Sequence, residues 1–176
     1  MIEIVTYNKD YVGLARDFRV NPTSCGNPEH YESYIKYSAI SDRNAGLGTT
    51  QALVETNEDS KKMLGFVTLR TASVITQHDG NLLGEPAIEI AELAVDMTAE
   101  KKGYGKLLVD IVLSLADKFN ANFLGIRYVT LCADPQAVPF YEKLGFANAG
   151  DYYKIPREGW NVSCTPMFIR LPERSY

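Results

Sequence analysis

Apolar and polar positions alternate in two different rhythms along this chain, and the change from one to the other marks its elements. Between Gly103 and Phe119, the residues Leu107, Leu108, Ile111, Val112, Leu115, Ala116 and Phe119 recur at helical spacing as one continuous stripe. This predicts an amphipathic helix. Residues 2–7 (IEIVTY) alternate with the period of a strand, and NKDYVGLARDFRV offers an Asn8 cap followed by a weaker helical pattern. PTSCGNP is a turn cluster, after which EHYESYIKYSAI places Tyr31, Tyr34, Ile35 and Tyr37 on a second helix. SDRNAGLGTT reads as a flexible connection. QALVETN and KMLGFVTLRTASVI read as a hairpin joined by EDSKK, TQHDGNLLGEP as a loop and AIEIAELAV as a third strand. IRYVTLCA fits a strand buried on both faces, AVPFYEKLGF a short helix ending at Gly145, and DYYKI and PMFIRL two closing strands. The order β-α-α-β-β-β-α-β-α-β-β predicts a mixed α/β fold, its sheet largely antiparallel with one crossover.

Neither repeats nor linker-like tracts interrupt this pattern, so residues 1–176 are expected to form a single domain. At 45% hydrophobic residues the composition is that of an ordinary globular chain. No apolar run is long enough to span a membrane, and MIEIVTYNKDYVGLARDF lacks the basic and apolar regions of a secretion signal. A cytoplasmic location and no membrane partner are the expectations. A net charge of −4 argues against nucleic acid as a partner attracted by a global positive field, although a local basic patch stays open.

Cys25, Cys132 and Cys164 are an odd number without CxxC spacing, which indicates neither a disulfide framework nor a zinc site. Cys132 is expected to act as a small apolar residue of its strand. His30 and His78 have no nearby cysteine or His-x-x-x-His partner, so both read as surface or loop residues, with no metal expected.

The chemistry suggested by the pattern lies where the long helix begins. AEKKGYGKLLVD puts Gly103 and Gly105 at the helix mouth directly behind a strand, with Lys101, Lys102 and Lys106 around them. Glycine lets the backbone approach a ligand closely, and amides at a helix start favour an anion. A Walker loop is excluded because G-x-x-x-x-G-K-[ST] is absent, and a dinucleotide fingerprint because Leu108 stands where its third glycine belongs.

The stretch AELAVDMTAEKKGYGKLLVD, followed by ADPQAVPFYEKLGF, resembles the GCN5-related N-acetyltransferase (GNAT) superfamily over roughly residues 60–147. The family's pyrophosphate signature maps onto Glu100-Lys101-Lys102-Gly103-Tyr104-Gly105, and its second signature onto Asp134-Pro135-Gln136-Ala137 with Tyr141. Two positions depart from it: Glu100 replaces a Gln or Arg, and Asp134 replaces an Asn. The resemblance implies a mixed central sheet of about seven mostly antiparallel strands flanked by helices, with a splayed parallel pair forming a cleft for acetyl-CoA, the cosubstrate. Leu93, Ala94 and Val95 would pair with its pantetheine arm. Lys101, Lys102, Gly103, Tyr104, Gly105 and Lys106 would hold its diphosphate, and Asp134, Ala137 and Tyr141 would complete the cofactor site.

Acylating an amine requires removal of a proton, a donor for the oxyanion and a proton for the departing thiolate. Glu89 and Glu92, carboxylates on an otherwise apolar strand, are the candidate bases; the resemblance implies Glu89 as the closer match to the base of relatives, and strict alternation puts the two on opposite faces unless a bulge intervenes. Tyr141 is the candidate acid, and the Val95 amide the oxyanion donor implied by relatives. Tyr31, Glu32, Tyr34 and Trp160 are candidates for the acceptor pocket. The implied function is transfer of acetyl from acetyl-CoA to a primary amine of a small molecule or peptide by direct attack. Two other readings stay open: a toxin acting on aminoacyl-tRNA, to which GFVTL and LAVD are loosely similar, and a non-catalytic acyl-CoA sensor. Dimerisation, common in relatives, is carried as an expectation of a homodimer.

Overall fold

The N-terminal alternation closes into strand pairing. In the computed structural model β1 (Ile2–Thr6) lies antiparallel to β2 (Thr49–Thr56), with Ile4 opposite Leu53, and β2 lies antiparallel to β3 (Lys61–His78). The structure describes residues 1–58, 60–149 and 164–173, without the side chain of His78. The DYYKI strand and Trp160 lie outside them. Among the described residues, seven strands form one mixed sheet in the order β1-β2-β3-β4-β5-β7-β6. It includes β4 (Asn81–Val95), β5 (Tyr128–Ala133), β6 (Ala147–Asn148) and β7 (Thr165–Arg170). β4 and β5 are its parallel pair, and helices flank it.

The chain divides into two compact units: Met1–Arg70 with Ile90–Val112, and Thr71–Glu89 with Leu113–Tyr176. The first contains α1 (Val12–Ala15), α2 (Pro28–Ser33), a π-helical segment at Tyr34–Ser38 and α3 (Ala39–Asn44). Its core gathers Tyr7, Phe18, Tyr34, Ile35, Ala52, Val54, Met63, Phe66 and Ala94, with Phe18 meeting Phe66 edge-on and Tyr34 stacked on it. The Tyr7 hydroxyl donates to the Ile35 carbonyl at 2.9 Å, and burial pushes its pKa up to about 12. Pairing of β2 with β3 slips once: Leu53 faces Gly65 and Val54 faces Met63, leaving Leu64 as an extra residue in a β-bulge.

In the second unit β5 pairs antiparallel with β7, and β7 with β6. The long apolar stripe becomes α4 (Tyr104–Asn122), which enters this unit at Leu113. The short helix is α5 (Val138–Lys143), and Gly145 follows it at φ 91°.

Three expectations are corrected here. SDRNAGLGTT is not all connection, because α3 continues to Asn44 before Gly46, at φ 70°, ends it. TQHDGNLLGEP is not a loop, because β3 runs to His78 and β4 begins at Asn81. Asp79 and Gly80, at φ 49° and 82°, form a two-residue hairpin turn whose twist matches the flanking strands. Finally, Cys132 is not a buried apolar residue but is exposed and joined to Cys164 in a disulfide across 32 positions.

No helix among the described residues is long and apolar enough to cross a membrane. No group of three or more His, Cys, Asp or Glu side chains among them is placed to hold a metal.

Candidate active site

The turn between β4 and α4 is built on one buried carboxylate. Asp96 is only 2% exposed and caps the short turn Met97–Ala99 by accepting the Thr98 amide at 3.1 Å and its hydroxyl at 2.5 Å. It also accepts the Arg19 amide at 3.1 Å and pairs with Lys62 at 3.1 Å. Burial alone pushes a carboxyl pKa upward; here the donors outweigh it and the net direction is downward. Two further main-chain bonds fix the turn: Asp96 N–H donates to Leu64 O at 2.9 Å, and Met97 N–H to Arg19 O at 2.8 Å. The bulged residue of β3 therefore anchors the exit of β4.

Beyond this anchor the backbone reverses through left-handed conformations at Lys101 (φ 61°) and Gly103 (φ 85°). The first of these is unfavourable for a side chain bearing Cβ and is held by its surroundings. Leu107 N–H donates to Gly103 O at 3.0 Å, so the amides of Tyr104, Gly105 and Lys106 precede the α4 ladder and lack helical acceptors. That leaves a helix mouth polarised to receive an anion.

Lys101 and Lys102 are exposed beside this mouth, whereas Lys106 reaches along the helix to Asp110 at 2.5 Å. The departure at Glu100 is accommodated, since its carboxylate accepts a bond from the Asn21 amide nitrogen at 2.9 Å. Behind the mouth, β4 sits very close to Gly65. A Cβ there would meet Ala94 O at 2.9 Å and Leu108 Cδ1 at 3.1 Å. Leu93 and Val95 are half-buried and Ala94 buried.

Glu92 precedes this stretch and is engaged by a residue read from sequence only as a surface histidine. His30 Nε2 lies 2.9 and 3.0 Å from the two Glu92 oxygens. His30 belongs to α2, whose cap Asn27 accepts the His30 amide at 3.2 Å. Ala94, two residues along β4, packs into the core cluster containing Tyr34 and Ile35, so Glu92 and Ala94 address the same helical layer.

Of the acceptor-pocket candidates, Tyr34 is buried and donates to Asp42 at 3.2 Å. Its hydroxyl pKa is raised, first by burial. Glu32 takes the Val20 amide at 3.0 Å and pairs with Lys36 and Arg19, while Tyr31 packs edge-on against the His30 ring.

The second unit carries Glu89, Asp134, Ala137 and Tyr141. Asp134 begins the turn Pro135–Ala137, with Ala137 N–H bonded to Asp134 O at 2.8 Å, and α5 follows at once. Tyr141 is buried among Phe140 and Phe146 at ring distances of 4.9 and 5.7 Å. Burial, then the nearby negative charge of Asp134, pushes its pKa well above the usual phenol value. The hydroxyl stays protonated across the physiological range, as a proton donor requires.

A sequence model of the Acetyltransferase (GNAT) family matches residues 12–146. The chain belongs to this family. It is an acetyl-CoA-dependent acyltransferase, with acetyl-CoA as cosubstrate. Solved structures share the fold of this acetyltransferase. One, a bacterial toxin, is 20% identical, with 97% of this chain and 90% of that chain covered at a TM-score of 0.73. A mutant of the toxin AtaT is 17% identical, with 96% and 89% covered at 0.75. AtaT complexed with acetyl-methionyl-tRNAfMet is 16% identical, with 97% and 95% covered at 0.73.

The helix mouth and the Asp134–Tyr141 segment were legible because each is local in sequence. His30 was missed as a partner because it is 62 positions from Glu92, and Asp96 because a lone carboxylate after a strand carries no motif.

Proposed function

We propose that the enzyme transfers acetyl from acetyl-CoA to a primary amine by direct attack, with its diphosphate on the α4 mouth. The observation that carries this is the reversed turn at Lys101 and Gly103, which opens a 19-residue helix directly behind β4. In this reading the amides of Tyr104, Gly105 and Lys106, with Lys101 and Lys102, hold the diphosphate. Leu93, Ala94 and Val95 pair with the pantetheine arm, the Val95 amide serving the oxyanion. Asp134 and Ala137 complete the cofactor site in the same reading. Glu92, or Glu89 in its place, takes the amine proton, and Tyr141 protonates the departing thiolate.

The acceptor is a primary amine of a small molecule or peptide, or, in a second reading, the amino group of aminoacyl-tRNA. The second is favoured by similarity to AtaT, whose complex with acetyl-methionyl-tRNAfMet matches over 97% of this chain. The net charge of −4 is a global quantity and leaves room for a local basic contact with phosphate.

Thiol release from acetyl-CoA, followed with a panel of small amines, peptides and charged tRNAs, tests the proposal. Tyr141→Phe is expected to lower kcat by about a hundredfold or more while still binding CoA. Saturable CoA binding with no turnover on any amine would favour the sensor, and equal turnover by Tyr141→Phe would remove the tyrosine from the chemistry. Acetylation confined to charged tRNA would select the second reading.

A further inference from the structure

We propose that His30 is a positioning residue for acetyl transfer, carrying the amine proton from Glu92 to solvent; this rests on the function proposed above, with Glu92 as base. Both Glu92 oxygens lie within 3.0 Å of His30 Nε2, a geometry in which one imidazole nitrogen serves the whole carboxylate. Exposure of the two side chains differs as a relay needs: Glu92 is 16% exposed and His30 50%. The Asn27 cap holds the His30 main chain, and the ring meets Tyr31 edge-on at 5.2 Å.

The proton balance requires such an exit. An ammonium acceptor and acetyl-CoA give an amide, free CoA thiol and one proton. In the first step Glu92 carboxylate takes that proton, leaving the neutral amine. The Glu92 carboxyl then passes it to the Nε2 lone pair of neutral His30, restoring the carboxylate beside an imidazolium. The exposed ring releases the proton to water. When the amine nitrogen attacks the thioester carbon, the N–C bond forms and the C–S bond breaks; Tyr141 gives its phenolic proton to the departing thiolate and regains the nitrogen's surplus proton, so the exported proton is the only one leaving the site.

Imidazole suits the relay because its ordinary pKa of about 6.5 lies between carboxylate and bulk buffering. Other charged groups on the elements meeting the pair are Glu29 and Glu32 of α2, Arg19 before it, Lys36 after it, and Glu85 and Glu89 earlier on β4. Among these, Glu32 is itself paired with Arg19 at 3.9 Å and Lys36 at 3.6 Å.

The test uses the full chain with His30→Gln, His30→Ala and Glu92→Gln. The two histidine resonances are titrated by NMR, with His30 assigned through His30→Gln, and acetyl-CoA affinity is measured by calorimetry. Turnover is followed as thiol release with the best small amine of the panel across pH 5.5–9. Expected are a lower His30 titration midpoint in Glu92→Gln and a loss of about tenfold in kcat for both His30 variants at unchanged acetyl-CoA affinity. The acid limb of kcat should change shape, and added imidazole should restore activity to His30→Ala.

Wild-type turnover with an unaltered pH profile in His30→Gln would overturn the relay and leave the acetyltransfer reading standing. A midpoint indifferent to Glu92→Gln would overturn the pairing itself. Absence of wild-type turnover on every acceptor would overturn both readings together.

Discussion

Replacing Gly65 by alanine probes how tightly the candidate pantetheine strand is seated. The added Cβ would lie 2.9 Å from Ala94 O, 3.1 Å from Leu108 Cδ1 and 3.5 Å from Val95 Cα. The first neighbour is main chain and cannot rotate away, and Leu108 is itself fully buried, so relief requires β4 to move. Overpacking of this kind costs about 1–3 kcal/mol. Against it stands the reduced freedom of the unfolded chain when glycine becomes alanine, worth about 0.4–1 kcal/mol where the backbone conformation is compatible. Gly65 has no positive φ, so that gain applies, but the steric term wins. The net loss, up to about 2.6 kcal/mol, corresponds to a Tm lower by as much as roughly 10 °C for a chain of this size.

Gly13→Ala is the matched control. It lies in α1 with nothing within 4 Å of its new Cβ, so Tm should hold or rise. Differential scanning fluorimetry gives both Tm values, and calorimetry with acetyl-CoA should show weaker binding only for Gly65→Ala. A Gly65→Ala protein as stable as Gly13→Ala, with unaltered acetyl-CoA affinity, would refute the reasoning.

Three other outcomes are expected. Asp96→Asn should lose about 2 kcal/mol near neutral pH, because its oxygens accept several donors in a buried place. Since the folded Asp96 carboxyl is held below its usual value of 3.8, its stabilisation is present above that value and fades as pH falls through the folded one. The gap between wild type and Asp96→Asn in urea titrations should therefore narrow in acid. Cys132→Ser should lose about 3–4 kcal/mol by the chain-entropy relation for a closure of 32 positions, and reductant should lower the Tm of wild type but not of the variant. Gly103→Ala, forced to hold φ 85° with a Cβ, should cost about 1 kcal/mol and weaken CoA more than pantetheine if the diphosphate sits at this turn; equal loss for both would count against that placement.

What could be read from the chain beforehand depended on sequence distance. The α4 stripe needed only neighbouring turns to declare itself: Leu108, Val112 and Ala116 are fully buried, whereas Leu107 is exposed and Val109, outside the stripe, is buried instead. The hairpin was misread as a loop because Gly, Pro and polar residues cluster near residues 77–86, and composition masked the Asp79-Gly80 turn signal. The disulfide was missed because no spacing rule joins Cys132 to Cys164; they meet because β5 and β7 pair Ala133 with Thr165. Likewise, nothing local in EHYES announces that His30 will find a glutamate on β4. Local chemistry marked the helix mouth and the tyrosine, while the partners supporting them came from tertiary structure.

The surplus residue at position 64 has a consequence for how this sequence tolerates length changes. Met63 and Phe66 stand an odd number of steps apart yet share one cluster, opposite Val54 and Ala52, which themselves stand an even number apart. The bulge works as a phase shifter that resets inside and outside midway along β3. Removing that one residue would leave Met63 and Phe66 two steps apart, still opposite Val54 and Ala52, but would take away the bulge carbonyl that receives the Asp96 amide. A single-codon deletion at position 64 should thus keep β3 in step with β2 and loosen mainly the Asp96 turn, whereas an insertion or deletion elsewhere in the paired part of β3 would throw one half of the strand out of phase.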